Sequence, residues 1–241
     1  MSCICVIGMH RSGTSCLTGI MQGLGIELGE VFTENEYNKK GNRENGRIVY
    51  LNDALLTSNG GAWNDPVDVT EWHEGHTDER DAIIAELSGR AASAGRATSD
   101  WGFKDPRTMF ALDFWQGAIP DMKFIGTFRH PYRVARSLNN RDNTPLDVGM
   151  KLWLRYNLRL IELLHQYNFD IVDFDAEPET YLNDVIGKLV ALGIEADRAE
   201  EARSFFDTSL RNQASASTAE VEMPPEVADV YQQLQEYHRR G

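Results

Sequence analysis

The chain is short of cysteine, short of positive charge and without any long apolar run, and each shortage narrows what it can be. Its three cysteines are Cys3, Cys5 and Cys16. Cys3 and Cys5 alternate in an apolar segment, so on a strand they share a face, and they stand too close together to begin a four-ligand metal site. They read as small buried thiols of a reducing compartment. No stretch approaches the roughly 20 apolar residues that cross a bilayer, so stable membrane insertion is not expected. The amino terminus runs straight into a strand pattern with no charged segment or cleavage site, so no secretory signal is visible and a cytoplasmic location is expected. Internal repeats and low-complexity tracts are missing too.

Lys and Arg number 24 against 37 Asp and Glu, a formal net charge of −13. Such a balance argues against a nucleic-acid partner. The cations that exist are grouped, however. Residues 129–141 carry Arg129, Arg133, Arg136 and Arg141 and no acid, and residues 39–47 carry Lys39, Lys40, Arg43 and Arg47 against Glu44 alone. Residues 65–86 are the opposite, acidic throughout apart from Arg80. Basic segments inside an acidic shell suggest local recognition of a small anion, while a solvated helix face is the plainer reading of any one arginine.

The most informative stretch is Gly8-Met9-His10-Arg11-Ser12-Gly13-Thr14-Ser15. It follows the apolar run Cys3–Ile7 and precedes a helical pattern with Leu17, Ile20, Met21 and Leu24, closed by Gly25. A strand, a glycine-containing loop and a helix N-terminus together aim backbone N–H groups and a positive dipole end at one spot. The glycine spacing is that of a P-loop, but Thr14 stands where a nucleotide triphosphatase keeps its lysine. A cation is found at Arg11 instead.

Elsewhere the pattern alternates. Strands are expected at 3–8, 101–104, 123–128 and 170–174, and helices at about 14–24, 44–57, 77–94, 108–115, 131–140 and 146–167, with another opening at Pro178. Residues 58–77 read as a loop of functional length, with exposed-looking Trp63, Trp72, His73 and His76. The fold class is therefore α/β, a three-layer doubly wound parallel sheet with a P-loop-type anion loop after its first strand. One domain over 1–213 and a polar, acidic tail over 214–241 with one helix are expected. In such sheets ligands lie beyond the carboxyl ends of the strands. Gly8–Ser15, Lys104–Arg107 and Arg129–Pro131 all follow strands, so three polar clusters should gather along one edge.

Arg11-Ser12-Gly13-Thr14-Ser15 resembles the 5′-phosphosulfate loop of the sulfotransferases that use 3′-phosphoadenosine-5′-phosphosulfate (PAPS). Their second motif is an arginine ending a strand and a serine eight residues on in the next helix, and Arg129 and Ser137 match it. Phe103–Arg107, the Leu152-Trp153…Tyr156 helix and Ser209-Leu210-Arg211 are weaker likenesses. The resemblance spans roughly residues 1–213. It implies that Arg11, Ser12, Gly13, Thr14 and Ser15 hold the 5′-phosphosulfate, and that Arg129 and Ser137 hold the 3′-phosphate with Arg211 as a third contact. Arg11 and Lys104 become the catalytic cations near the bridging oxygen, and no metal is required. The histidine that cytosolic members use as general base would fall at Pro106 and is absent. Other branches use a glutamate, for which Glu44 is the candidate, with His10 and Glu36 behind it and a helix-dipole role as the alternative for Glu44. Arg107 either assists Lys104 or pairs with an acid. Trp63, Trp72 and Tyr37 either line an acceptor pocket or cover the sheet edge.

The function implied is transfer of a sulfuryl group from PAPS to a hydroxyl or amine of a small-molecule or lipid or glycan acceptor. A P-loop kinase-like phosphotransferase and a non-catalytic nucleotide-binding protein of the same fold are the alternatives.

Overall fold

The computed structural model describes residues 2–34, 40–95, 99–206 and 223–241. Strand β1 (Cys3–Ile7) is buried at every position, which is why it reads as an unbroken apolar run. It pairs in parallel with β2 (Trp101–Lys104) on one side and β3 (Lys123–Phe128) on the other, and β4 (Ile171–Asp173) continues beyond β3. Register pairs are Cys3 with Trp101, Ile4 with Lys123 and Gly126 with Ile171. The sheet order β2-β1-β3-β4 makes β1 the point where the chain turns opposite ways, the position at which a crevice opens in such sheets.

Alternation along β1 divides the core. Ile4 and Val6 pack with Leu17 and Ile20 of α1 (Thr14–Gly23), with Val185 and Leu189 of α7 (Pro178–Ala191), and with Ala202 of α8 (Ala199–Phe205). Cys3, Cys5 and Ile7 face the other layer. It is built from α2 (Gly46–Ser58), α3 (Glu74–Ser93), α4 (Leu112–Gln116), α5 (Pro131–Asp142), α6 (Leu146–Tyr167) and α9 (Pro225–Arg240). Three layers result, and burial pushes both strand thiols well above the usual cysteine range, so they are core residues.

Several boundaries differ from the sequence expectation. Helix α2 begins at Gly46, because the Asn45 side chain caps it by accepting from the Arg47 N–H. Glu44 therefore precedes the helix and is not a first-turn residue. Helix α3 starts at Glu74, and His76 is buried in its first turn rather than exposed. The helix expected at 108–115 is two pieces, a 3-10 turn at Pro106–Phe110 capped by Asp105, then α4. Trp63 is partly buried against the core, with the Tyr156 hydroxyl donating to its carbonyl at 2.8 Å. In the expected tail, α9 lays Val227, Val230 and Leu234 into the core beside α6. No described helix is long and apolar enough to cross a membrane.

Candidate active site

The loop after β1 is held by backbone geometry. A Cβ at Gly8 would meet the Thr127 carbonyl oxygen at 2.5 Å, so only glycine lets β3 approach this closely. Thr127 Oγ1 donates to the Ser12 carbonyl at 2.9 Å and fixes the loop to that strand. Arg11 has φ +66°, a left-handed conformation that costs a side-chain-bearing residue on the order of 1 kcal/mol and tends to be kept where function needs it. Gly13, at φ +87°, caps α1 with no side-chain hydrogen bond, and no acid lies in the first turn of the helix. Ser12 Oγ is fully buried without a hydrogen-bond partner among the described residues. Thr14 is buried as well, so the usual P-loop lysine position faces inward here.

The second cluster follows β3. Pro131 opens α5 with the His130 ring as its cap. Arg129 is 5% exposed. Its Nε donates to Asp175 Oδ1 at 3.1 Å, and a terminal nitrogen donates to the Arg11 carbonyl at 3.3 Å. Arg11 Nε donates to Ser137 Oγ on α5 at 2.8 Å. The loop after β1 and the helix after β3 thus meet through side chains 126 positions apart.

The third cluster follows β2. Lys104 Nζ lies 2.7 Å from Glu44 Oε1 and 3.4 Å from Ser15 Oγ. Its neighbour Asp105 turns away, accepting from Arg107 and Asn52. Arg107 also pairs with Asp53 at 2.6 Å, so it has acid partners while it lines the same cavity as Lys104. That cavity, about 260 Å3, is walled by Arg11, Ser15, Glu44, Lys104, Arg107 and Arg141, with His10, Thr14, Asn42, Trp63 and Pro106 completing it.

A family model described as the sulfotransferase family matches residues 3–186. The chain belongs to the sulfotransferase family. In structure it is similar to the sulfotransferase domain of the Synechococcus PCC 7002 olefin synthase, with TM-score 0.59 and 17% identity over 98% of this chain and 94% of that one. The sulfotransferase STF1 of Mycobacterium tuberculosis H37Rv gives 0.47 and 16%, over 98% and 76%. No curated protein sequence matches the chain. The first likeness establishes the shared α/β fold, and membership marks the protein as a transferase.

Within this sulfotransferase, Arg11, Ser12, Gly13, Thr14 and Ser15 form one loop, and Lys104, Glu44, Arg129 and Ser137 all gather around it. Arg211, Glu36 and Tyr37 lie outside the described residues. Trp72 stands apart, half-exposed against Phe114, whereas Trp63 reaches the cavity. His10 packs edge-on against Trp63 and Tyr156 at 5.3 and 5.5 Å, with Nδ1 buried and unpartnered among the described residues. Burial, then the cations Arg107, Lys104, Arg141 and Arg11, hold its pKa well below the ordinary value. Burial, then Arg141 and Arg129, pull Arg11 down to about 10. These cations therefore raise the positive potential around the loop.

Sequence reasoning missed Asp175, the partner of Arg129. The available signal was its place: Asp173 ends β4 and Asp175 follows two residues on, at the same sheet edge as the other three clusters. It also left Arg141 unassigned, although the cation lies 4.8 Å over the Trp63 ring at the cavity wall.

Proposed function

We propose that the protein is a PAPS-dependent sulfotransferase acting on a hydroxyl or amine. One observation carries this reading: Arg11 of the loop meets Ser137 of α5 at 2.8 Å, beside Arg129, so two anion-binding motifs adjoin. The residues present fit a nucleotide with two phosphates. The N-terminal amides of α1 and the Ser12 hydroxyl, which has no hydrogen-bond partner among the described residues, suit the 5′ end, and Arg129 with Ser137 suits the 3′-phosphate. When bound, the donor supplies an activated sulfuryl group and, as leaving group, adenosine 3′,5′-bisphosphate.

The protein's own residues then divide the work. Arg11 and Lys104 hold positive charge where negative charge develops. Glu44 takes the proton from the acceptor hydroxyl or amine, and its place beside Lys104 sets base and cation together at one end of the cavity. Asn42, Trp63 and Pro106 also line the cavity and would orient the acceptor. A cavity of about 260 Å3 lies below the usual range for drug-sized ligands, which suits a small acceptor or the end of a longer one. The free cysteines accord with a cytoplasmic setting.

Titration calorimetry with adenosine 3′,5′-bisphosphate tests the reading. Binding is expected in wild type and a loss of about tenfold or more in Arg129→Ala. Absence of binding, or an unaffected Arg129→Ala, would remove it.

A further inference from the structure

We propose that Asp175 is the positioning residue of the 3′-phosphate corner and that Arg133 is a second cation of that corner, the two arginines being aimed by one carboxylate. This rests on the PAPS reading above and goes beyond it. Asp175 Oδ1 accepts from Arg129 Nε at 3.1 Å and from Arg133 at 2.7 Å, while Oδ2 accepts from the His130 backbone N–H at 3.0 Å. The carboxylate is fixed in turn, because its own N–H donates to Asp173 Oδ1 at 2.9 Å. These contacts hold its pKa below the ordinary aspartate value against the opposing effect of burial.

Helical spacing brings the cation to the right face. Arg129 precedes α5 and is tied by Asp175 to Arg133, which shares a helix face with Ser137 four residues on. The family motif includes Arg129 and Ser137 and omits Arg133. Phe174 joins the arrangement from below. Its ring lies 5.1 Å under the Arg129 guanidinium and fills the space over Gly13, where a Cβ would come within 2.2 Å. Trp153 Nε1 donates to the Arg129 carbonyl at 3.0 Å and holds the backbone as well. One carboxylate oxygen thus touches both arginines of the corner. The carboxylate meets Arg129 through Nε, the lateral edge of the guanidinium, and so sets the direction of the fork.

A positioning carboxylate and a mere counter-ion predict opposite signs. Removing a counter-ion adds net positive charge and strengthens anion binding, whereas removing a positioning group weakens only the phosphate it aims for. The experiment is calorimetry on the full chain with adenosine 3′,5′-bisphosphate and adenosine 5′-monophosphate, for wild type, Asp175→Asn and Arg133→Gln. The expected result is that wild type prefers the bisphosphate. Each variant should lose about tenfold of that preference while its monophosphate affinity is unchanged. Either variant retaining the wild-type preference overturns the proposal, as does Asp175→Asn binding both nucleotides more tightly. If circular dichroism shows Asp175→Asn unfolded, Arg133→Gln alone decides. A wild type without any preference would instead sink the two-phosphate reading itself, a result separate from failure of the variants.

Discussion

Two buried cation–carboxylate pairs flank the anion loop, and they are built differently. Lys104–Glu44 stands at the end of β2, joined by one contact of 2.7 Å, with the carboxylate delivered from the segment before α2. Arg129–Asp175 stands at the end of β3, and its carboxylate also holds a second arginine and a backbone amide. A lysine ammonium is a compact charge on a flexible stem, while a guanidinium is a planar fork with fixed directions. The first pair opens on the cavity. The second is braced on several sides and suits holding a ligand still. In the proposed reading, proton transfer falls to the first pair and ligand binding to the second.

The largest effect expected from breaking this division is on the first pair. Glu44→Gln keeps an acceptor for Lys104 but removes the base, and should lower turnover about 10²–10⁴-fold with bisphosphate affinity unchanged. Steady-state kinetics beside calorimetry would show this, and an equal loss in both quantities would mean that the pairs share their tasks. Next in size is Arg129→Lys, which retains charge and loses the fork. Bisphosphate binding should weaken about tenfold or more, and wild-type affinity would show that charge alone suffices there.

Smaller again is a pH effect from His10, which faces cations of both sides: Arg11 from the loop, Lys104 at the end of β2, Arg107 in the 3-10 turn and Arg141 on α5. Its native pKa is lowered, so below the ordinary histidine value of about 6.5 the unfolded chain binds the proton more readily than the native one. Stability from this site is therefore present above that value and falls as pH drops, by up to about 1.4 kcal/mol per pH unit until the native pKa is reached. Denaturant melts from pH 7 to 5 should show this slope in wild type and its loss in His10→Gln; equal slopes would place His10 outside the shared field. The smallest effect belongs to an exposed pair used as contrast. Arg47 bridges Glu79 and Glu86 with about two-fifths of each side chain exposed, and Arg47→Ala should cost only about 0.2–1 kcal/mol in the same melts.

The α/β class and its layers were legible because β1 and β3 read as apolar runs and the 146–167 helix carries strong periodicity, and the loop after β1 because glycine spacing reports backbone geometry directly. The gathering of Lys104 and Arg129 near that loop followed from their positions after parallel strands. Partners were less legible. Nothing local distinguishes Asp175, which is chosen by Arg129 and His130 across the sheet edge, from any other acid after a strand. Glu44 looked like a first-turn residue until Asn45 took the cap. Trp63 sits in a glycine-rich segment that reads as exposed, and only the meeting with Tyr156 and His10 turns it inward. Local chemistry announces where a ligand goes, while the counter-charges that set its energetics come from contacts distant in sequence.

Helix α9 gives the order of synthesis a role. Tyr231 packs edge-on against His130, Phe128 and Trp153, with ring centroids 5.0, 6.1 and 6.3 Å away. Those residues carry or support Arg129, yet α9 lies outside the matched stretch 3–186. At roughly 5–20 residues per second on the ribosome, the sheet and the anion loop can assemble for seconds before α9 reaches them. During that interval the nascent domain has its strands and its loop amides but lacks the wall behind His130. In the proposed reading, competence to grip a nucleotide should thus wait for α9 rather than arrive with the sheet itself.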